Sequence, residues 1–126
     1  MKGDKYMERL SFRPLHRGDV YWANLNNVCV GNTSIYHKIR PVVIMSNEMC
    51  NQYSPVLTVI PISSQLHKAT HIPTQIRMKL LNKDSVCCTS QPISLPRNQL
   101  LNYMDTLSAE DIAKIENGLR IQLQLA

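Results

Sequence analysis

Two places in this 126-residue chain could act together on a phosphate. Arg40 stands directly before Pro41 and the apolar run Val42-Val43-Ile44. Ser63, Ser64 and Gln65 close a second run, Val59-Ile60-Pro61-Ile62. If the two runs are neighbouring strands, their ends bring a guanidinium and a hydroxyl to one spot. The arginine supplies a permanent charge with forked donors, and the serine supplies one donor and one acceptor. The polar stretch ahead of Arg40 adds Asn32, Thr33, Ser34, His37 and Lys38 as groups able to hold a substrate. Taken one at a time, a strand-end arginine is a solvated charge and a serine pair begins a turn. The combination is what points to chemistry.

Other mechanisms find no support. There is no Ser-His-Asp order, P-loop, HExxH or pair of buried acids. The chain has nine carboxylates, four of them after residue 100, too few in the body for a two-metal nuclease. No metal or other cofactor is expected. His67 and His71 would share a helix face, but Pro73 and the hydroxyl-rich surroundings argue against a helix there. Cys29, Cys50, Cys87 and Cys88 form no CxxC pair and read as reduced, mostly buried thiols. Cys87 and Cys88, adjacent in a strand, would point to opposite faces.

The charge is unevenly divided. Residues 1–100 hold 12 Lys and Arg against five acids, whereas residues 101–126 hold two against four. A basic body suits a polyanion, nucleic acid first. No secretory or membrane-spanning pattern is visible, so the expected location is the cytoplasm.

The elements that must position these groups are short strands and one helix. Residues 1–16 lack periodicity and read as an N-terminal extension to a single domain over 17–126. Strands are expected at 20–25, 39–46, 56–63 (buried on both faces), 72–78 and 84–89, with a further extended piece between Ile93 and Pro96. Residues 26–38 read as a long polar loop and 47–55 as a loop. Ser108 followed by Asp111 marks an N-cap, and Ile112, Ile115, Leu119 and Leu123 recur at helical spacing. Val20, Trp22, Val42, Ile44, Val59 and Ile62 are the expected core. Strands followed by one terminal helix indicate a small antiparallel barrel with a helix packed on it.

In order along the chain stand Arg17-Gly18-Asp19-Val20-Tyr21-Trp22-Ala23-Asn24-Leu25, Ile39-Arg40-Pro41-Val42-Val43-Ile44-Met45-Ser46-Asn47, Asn51-Gln52-Tyr53-Ser54-Pro55, Val59-Ile60-Pro61-Ile62-Ser63-Ser64-Gln65, Ile72-Pro73-Thr74 and Asp84-Ser85-Val86. This succession closely resembles the MazF/PemK toxins, the ribonuclease halves of bacterial toxin–antitoxin pairs. The resemblance implies an SH3-like antiparallel β-barrel with a C-terminal helix, a homodimer, a cognate antitoxin and cleavage of single-stranded RNA without a metal. Arg40 falls on the family's catalytic arginine and Ser63 on its catalytic threonine, keeping the hydroxyl and losing the methyl; Gln65 matches the glutamine that follows. The implied reaction is attack by the ribose 2′-hydroxyl, giving a 2′,3′-cyclic phosphate and a 5′-hydroxyl end. Guanidinium groups hold their charge at neutral pH, so Arg40 suits transition-state stabilisation better than proton abstraction. His37 is a candidate proton shuttle.

Three departures stand out. The loop Gly31–Ile39 carries no acid where many relatives have a glutamate. After Gln91 the chain reads Pro92-Ile93-Ser94 where relatives show an arginine, and Arg97 is the nearest substitute. Residues 1–16 are extra. Lys38, Arg40, Lys68, His71, Arg77 and Lys79, with Tyr36 for stacking, are the groove candidates for RNA. The alternatives are a catalytically inactive relative that binds RNA, or one that binds a protein such as DNA gyrase. Keeping Arg40, Ser63 and Gln65 together favours the ribonuclease.

Overall fold

The computed structural model describes residues 13–26, 39–64 and 72–126. Within them lie seven strands, two α-helices and one 3-10 turn: β1 (Asp19–Asn24), β2 (Ile39–Ile44), α1 (Glu48–Tyr53), β3 (Val56–Ser63), β4 (Gln75–Leu80), β5 (Lys83–Cys88), β6 (Ile93–Pro96), the turn (Arg97–Gln99), β7 (Leu100–Thr106) and α2 (Ala109–Leu123). All pairings are antiparallel, in the order β4-β5-β3-β2-β1-β7, with β6 pairing β3 beside β5. The sheet curls into a half-barrel. No described helix is long and apolar enough to cross a membrane.

Strand alternation divides the apolar residues between two cores. Tyr21, Ala23, Leu25, Val42, Ile44, Leu57 and Val59 turn into the first, where they meet Ile93 and Leu95 of β6 and Leu100 of β7. Val20, Val43, Met45, Ile60, Ile62, Met78, Leu80 and Cys87 form the second, against Leu107 and Ile115, with Ile112 and Leu119 of α2 packed on it. The expected core residues are buried, except Trp22, which is half-buried.

Helix α2 starts at the expected cap: the Ser108 Oγ accepts the Asp111 amide at 3.1 Å. Leu123, the last residue of the helical stripe, is exposed. Two elements differ from the sequence reading. Residues 47–55 contain α1, a helix too short to stand on propensity alone. It is capped by Asn47, whose Oδ1 accepts the Cys50 amide at 2.8 Å, and anchored by buried Asn51, whose Nδ2 donates to the Ser46 carbonyl at 2.8 Å. The second difference is β7, which lacks clean alternation because it is an edge strand defined by its pairing with β1. The first half of β3 is also exposed on one face, at Val56 and Thr58, and only its second half is enclosed on both.

The N-terminal segment joins this framework before β1. Leu15 is buried in the first core, and Gly18 turns the chain at φ +95°, a conformation that suits glycine. Arg17 spans three elements: its Nη1 donates to Glu116 of α2 at 2.6 Å, its Nε to the Met45 carbonyl, and its amide to Glu48. Hydrogen bonds from His16 and the Arg17 amide hold the Glu48 carboxyl below its usual range.

Gly118 lets α2 approach the sheet, because a Cβ there would run into the Thr89 side chain. Alanine favours a helix interior by about 1 kcal/mol over glycine, but overpacking a close contact costs about 1–3 kcal/mol. Gly118→Ala is therefore expected to lower stability, read as a lower urea midpoint; a raised midpoint would show that Thr89 yields.

Candidate active site

The curl of the sheet leaves a cavity of about 600 Å³ at one end of β1, β2 and β3. Its wall includes Arg40 and Pro41 of β2, Ser63 and the following Ser64, Trp22 of β1, Lys83 of β5 and Tyr103 of β7. The β2–β3 ladder ends with Val42 opposite Pro61, and Arg40 and Ser63 each lie two residues beyond that pair, on the wall of the same cavity. Neighbouring strand ends thus bring the arginine and the hydroxyl to one cavity.

Cys88 of β5 senses the Arg40 charge. Its thiol is pushed up to about 11 by burial, and the Arg40 charge acts in the opposite direction. Cys87 faces the helix-side core, where burial pushes its thiol well up. The two adjacent cysteines therefore sit in separate surroundings, as strand alternation requires. The described cysteines Cys50, Cys87 and Cys88 are free thiols, and Cys50 is only half-buried.

Of the expected substrate-holding residues, Ser64 is exposed on the cavity wall. Asn32, Thr33, Ser34, His37, Lys38 and Gln65 lie outside the described residues, as do Cys29, Tyr36, His67, Lys68 and His71. Arg77 and Lys79 are exposed on β4 but do not line this cavity; they border a separate depression with Asp111 and Lys114. Lys79 pairs across the hairpin with Asp84.

Several groups on the wall escape the sequence reading. Trp22 alternates like a core residue, but the helix-side core ends before it and leaves it on the wall. Lys83 reads as part of a turn, although it opens β5. Asn102 and Tyr103 belong to the unforeseen β7. A tryptophan in an alternating strand is the one available signal.

Arg97, the suggested substitute for a missing family arginine, has another job. Its Nη2 donates to the carbonyls of Cys50, Asn51 and Ser54, and its Nε to Ser54. It thus satisfies carbonyls at the end of α1, where a helix leaves acceptors without partners.

The fold is shared with solved toxins. A MazE–MazF structure from Deinococcus radiodurans superposes with a TM-score of 0.71 at 17% identity, covering 90% of this chain and 99% of that one. A mycobacterial endoribonuclease in complex with its cognate antitoxin gives 0.69 at 19% identity, covering 91% and 98%. In sequence, Endoribonuclease MazF of Staphylococcus saprophyticus is 36% identical over 114 residues, covering 88% of this chain and 92% of the relative. Residues 16–123 match the family of PemK-like, MazF-like toxins of type II toxin–antitoxin systems, and the chain belongs to that family.

Hydrogen bonds to a charged group contribute about 1.5–3 kcal/mol. Arg97→Ala is accordingly expected to lower stability by about 2 kcal/mol, measured by urea unfolding; an unchanged midpoint would mean that α1 holds without it.

Proposed function

We propose that this toxin is an endoribonuclease that cuts single-stranded RNA, messenger RNA in particular, within the cavity shared by Arg40 and Ser63. The observation that carries this reading is that both residues line one cavity, just beyond the end of the β2–β3 ladder, in a family whose Staphylococcus saprophyticus member is named an endoribonuclease.

The ribose 2′-oxygen attacks the adjacent phosphorus as its proton leaves. The bond from phosphorus to the 5′-oxygen breaks, and that oxygen takes up a proton. The products are a 2′,3′-cyclic phosphate and a 5′-hydroxyl end. The nucleophile belongs to the substrate, so the enzyme has to orient it and stabilise charge, and DNA is spared because it lacks the 2′-hydroxyl. Arg40 neutralises the charge that grows on the phosphoryl oxygens. Ser63 holds a phosphate oxygen or the attacking hydroxyl. Asn32, Thr33, Ser34, His37, Lys38, Ser64 and Gln65 bind the RNA, with His37 available for proton transfer. The toxin domain spans residues 17–126, with Leu15 and His16 of the preceding segment packed and bonded onto it, acts as a cytoplasmic homodimer, and is restrained by a cognate antitoxin whose acidic, flexible tail competes for the basic site.

The test is cleavage of a long single-stranded RNA in EDTA, with the new ends mapped. Wild type is expected to yield 5′-hydroxyl ends at a recurring short sequence. Arg40→Ala and Ser63→Ala are each expected to lower kcat about 100-fold or more, the scale of losing one preorganised donor, with the fold retained by circular dichroism. Full activity in either variant would remove that residue from the mechanism, and intact RNA with folded wild type would overturn the ribonuclease reading.

A further inference from the structure

We infer that Arg13 and Tyr103 form a stacking subsite for one base of the RNA strand, outside the phosphate-binding corner; this rests on the ribonuclease reading above. The Arg13 guanidinium carbon lies 3.7 Å from the centroid of the Tyr103 ring, and Tyr103 is on the wall of the cavity that contains Arg40 and Ser63. Arg13 precedes the family match, which begins at residue 16.

The pair is built rather than incidental. One buried carboxylate, that of Asp19, ties down both sides. Its Oδ1 accepts from the Thr106 hydroxyl at 2.9 Å, and that hydroxyl lies 2.6 Å from the Tyr103 Oη. Its Oδ2 accepts the His16 amide at 3.1 Å, which fixes the segment carrying Arg13, and Leu15 anchors the same segment in the core. Tyr21 meets the Tyr103 ring edge-on, with centroids 5.6 Å apart. A tyrosine held in this way keeps its plane, and a guanidinium stacked on it adds a second flat, charged group. Unpaired bases stack on both kinds of surface, and every base has a face to offer. The occupant is a base of single-stranded RNA next to the cut.

The test compares wild type with Arg13→Ala, Arg13→Lys and Tyr103→Leu. Binding is measured by anisotropy on a single-stranded RNA made uncleavable by 2′-O-methylation, and cleavage on the unmodified strand. Arg13→Ala is expected to weaken binding and raise KM about tenfold, the scale of one stacked base, with kcat and melting temperature unchanged. Arg13→Lys, which keeps the charge but loses the plane, is expected to behave like alanine. Combining Arg13→Ala with Tyr103→Leu should be less than additive, since both serve one base. Wild-type binding by Arg13→Ala, or full rescue by lysine, would overturn the subsite. Wild-type protein that binds but does not cut would overturn the ribonuclease reading and leave the subsite to be judged by the binding arm.

Discussion

The double enclosure of β3 is the constraint on which the rest of the structure depends. Val59, Ile60, Pro61 and Ile62 are consecutive and buried, so this strand contributes to the first core and the helix-side core at once. One edge pairs with β2, and the other is shared between β6 and β5. Burial on both faces makes the register costly to change, because a one-residue slip would exchange the contents of two cores. That fixed register carries Ser63 to the cavity that Arg40 lines. The site's precision is therefore inherited from packing several residues away.

Much of this was legible in the sequence, for identifiable reasons. The β3 run and the α2 stripe announce themselves because burial is written directly into their apolar content, and the Ser108 cap is a local signal. Arg40 and Ser63 could be read as partners because each abuts such a run. The elements that escaped depend on distant partners. β7 is an edge strand whose residues are neither evenly alternating nor uniformly apolar, and it exists because β1 offers it a ladder. Helix α1 is too short to declare itself. It is held by Asn47 at one end and at the other by Arg97, which lies 46 residues beyond Asn51. Trp22 illustrates a different limit. Its alternation is that of a core residue, but where the core ends along a strand is decided by the neighbouring elements.

The setting of Arg40 favours the chemistry assigned to it. Its Nε is buried, and Cys88, a thiol kept neutral by its own burial, is close enough to sense the guanidinium charge. A cation partly withdrawn from water acts on a nearby anion through a lower effective dielectric than a free surface charge does. The neutral thiol does not compete for that charge as a carboxylate would. Lys83 adds a second cation on the cavity wall, while Asp84 places one acid beside it. The balance suits a phosphate that gains negative charge as it reacts.

The hairpin between β4 and β5 shows stability and site geometry in opposition. Leu81 and Asn82 both have positive φ, 50° and 65°, as a two-residue turn of this hand requires. Asparagine tolerates that region, whereas a leucine there costs about 1–2 kcal/mol. The leucine is exposed, so burial does not compensate. It lies on the cavity wall between Leu80 and Lys83, an apolar surface beside a cation. Glycine at this position would relieve the strain and remove that apolar surface from the wall.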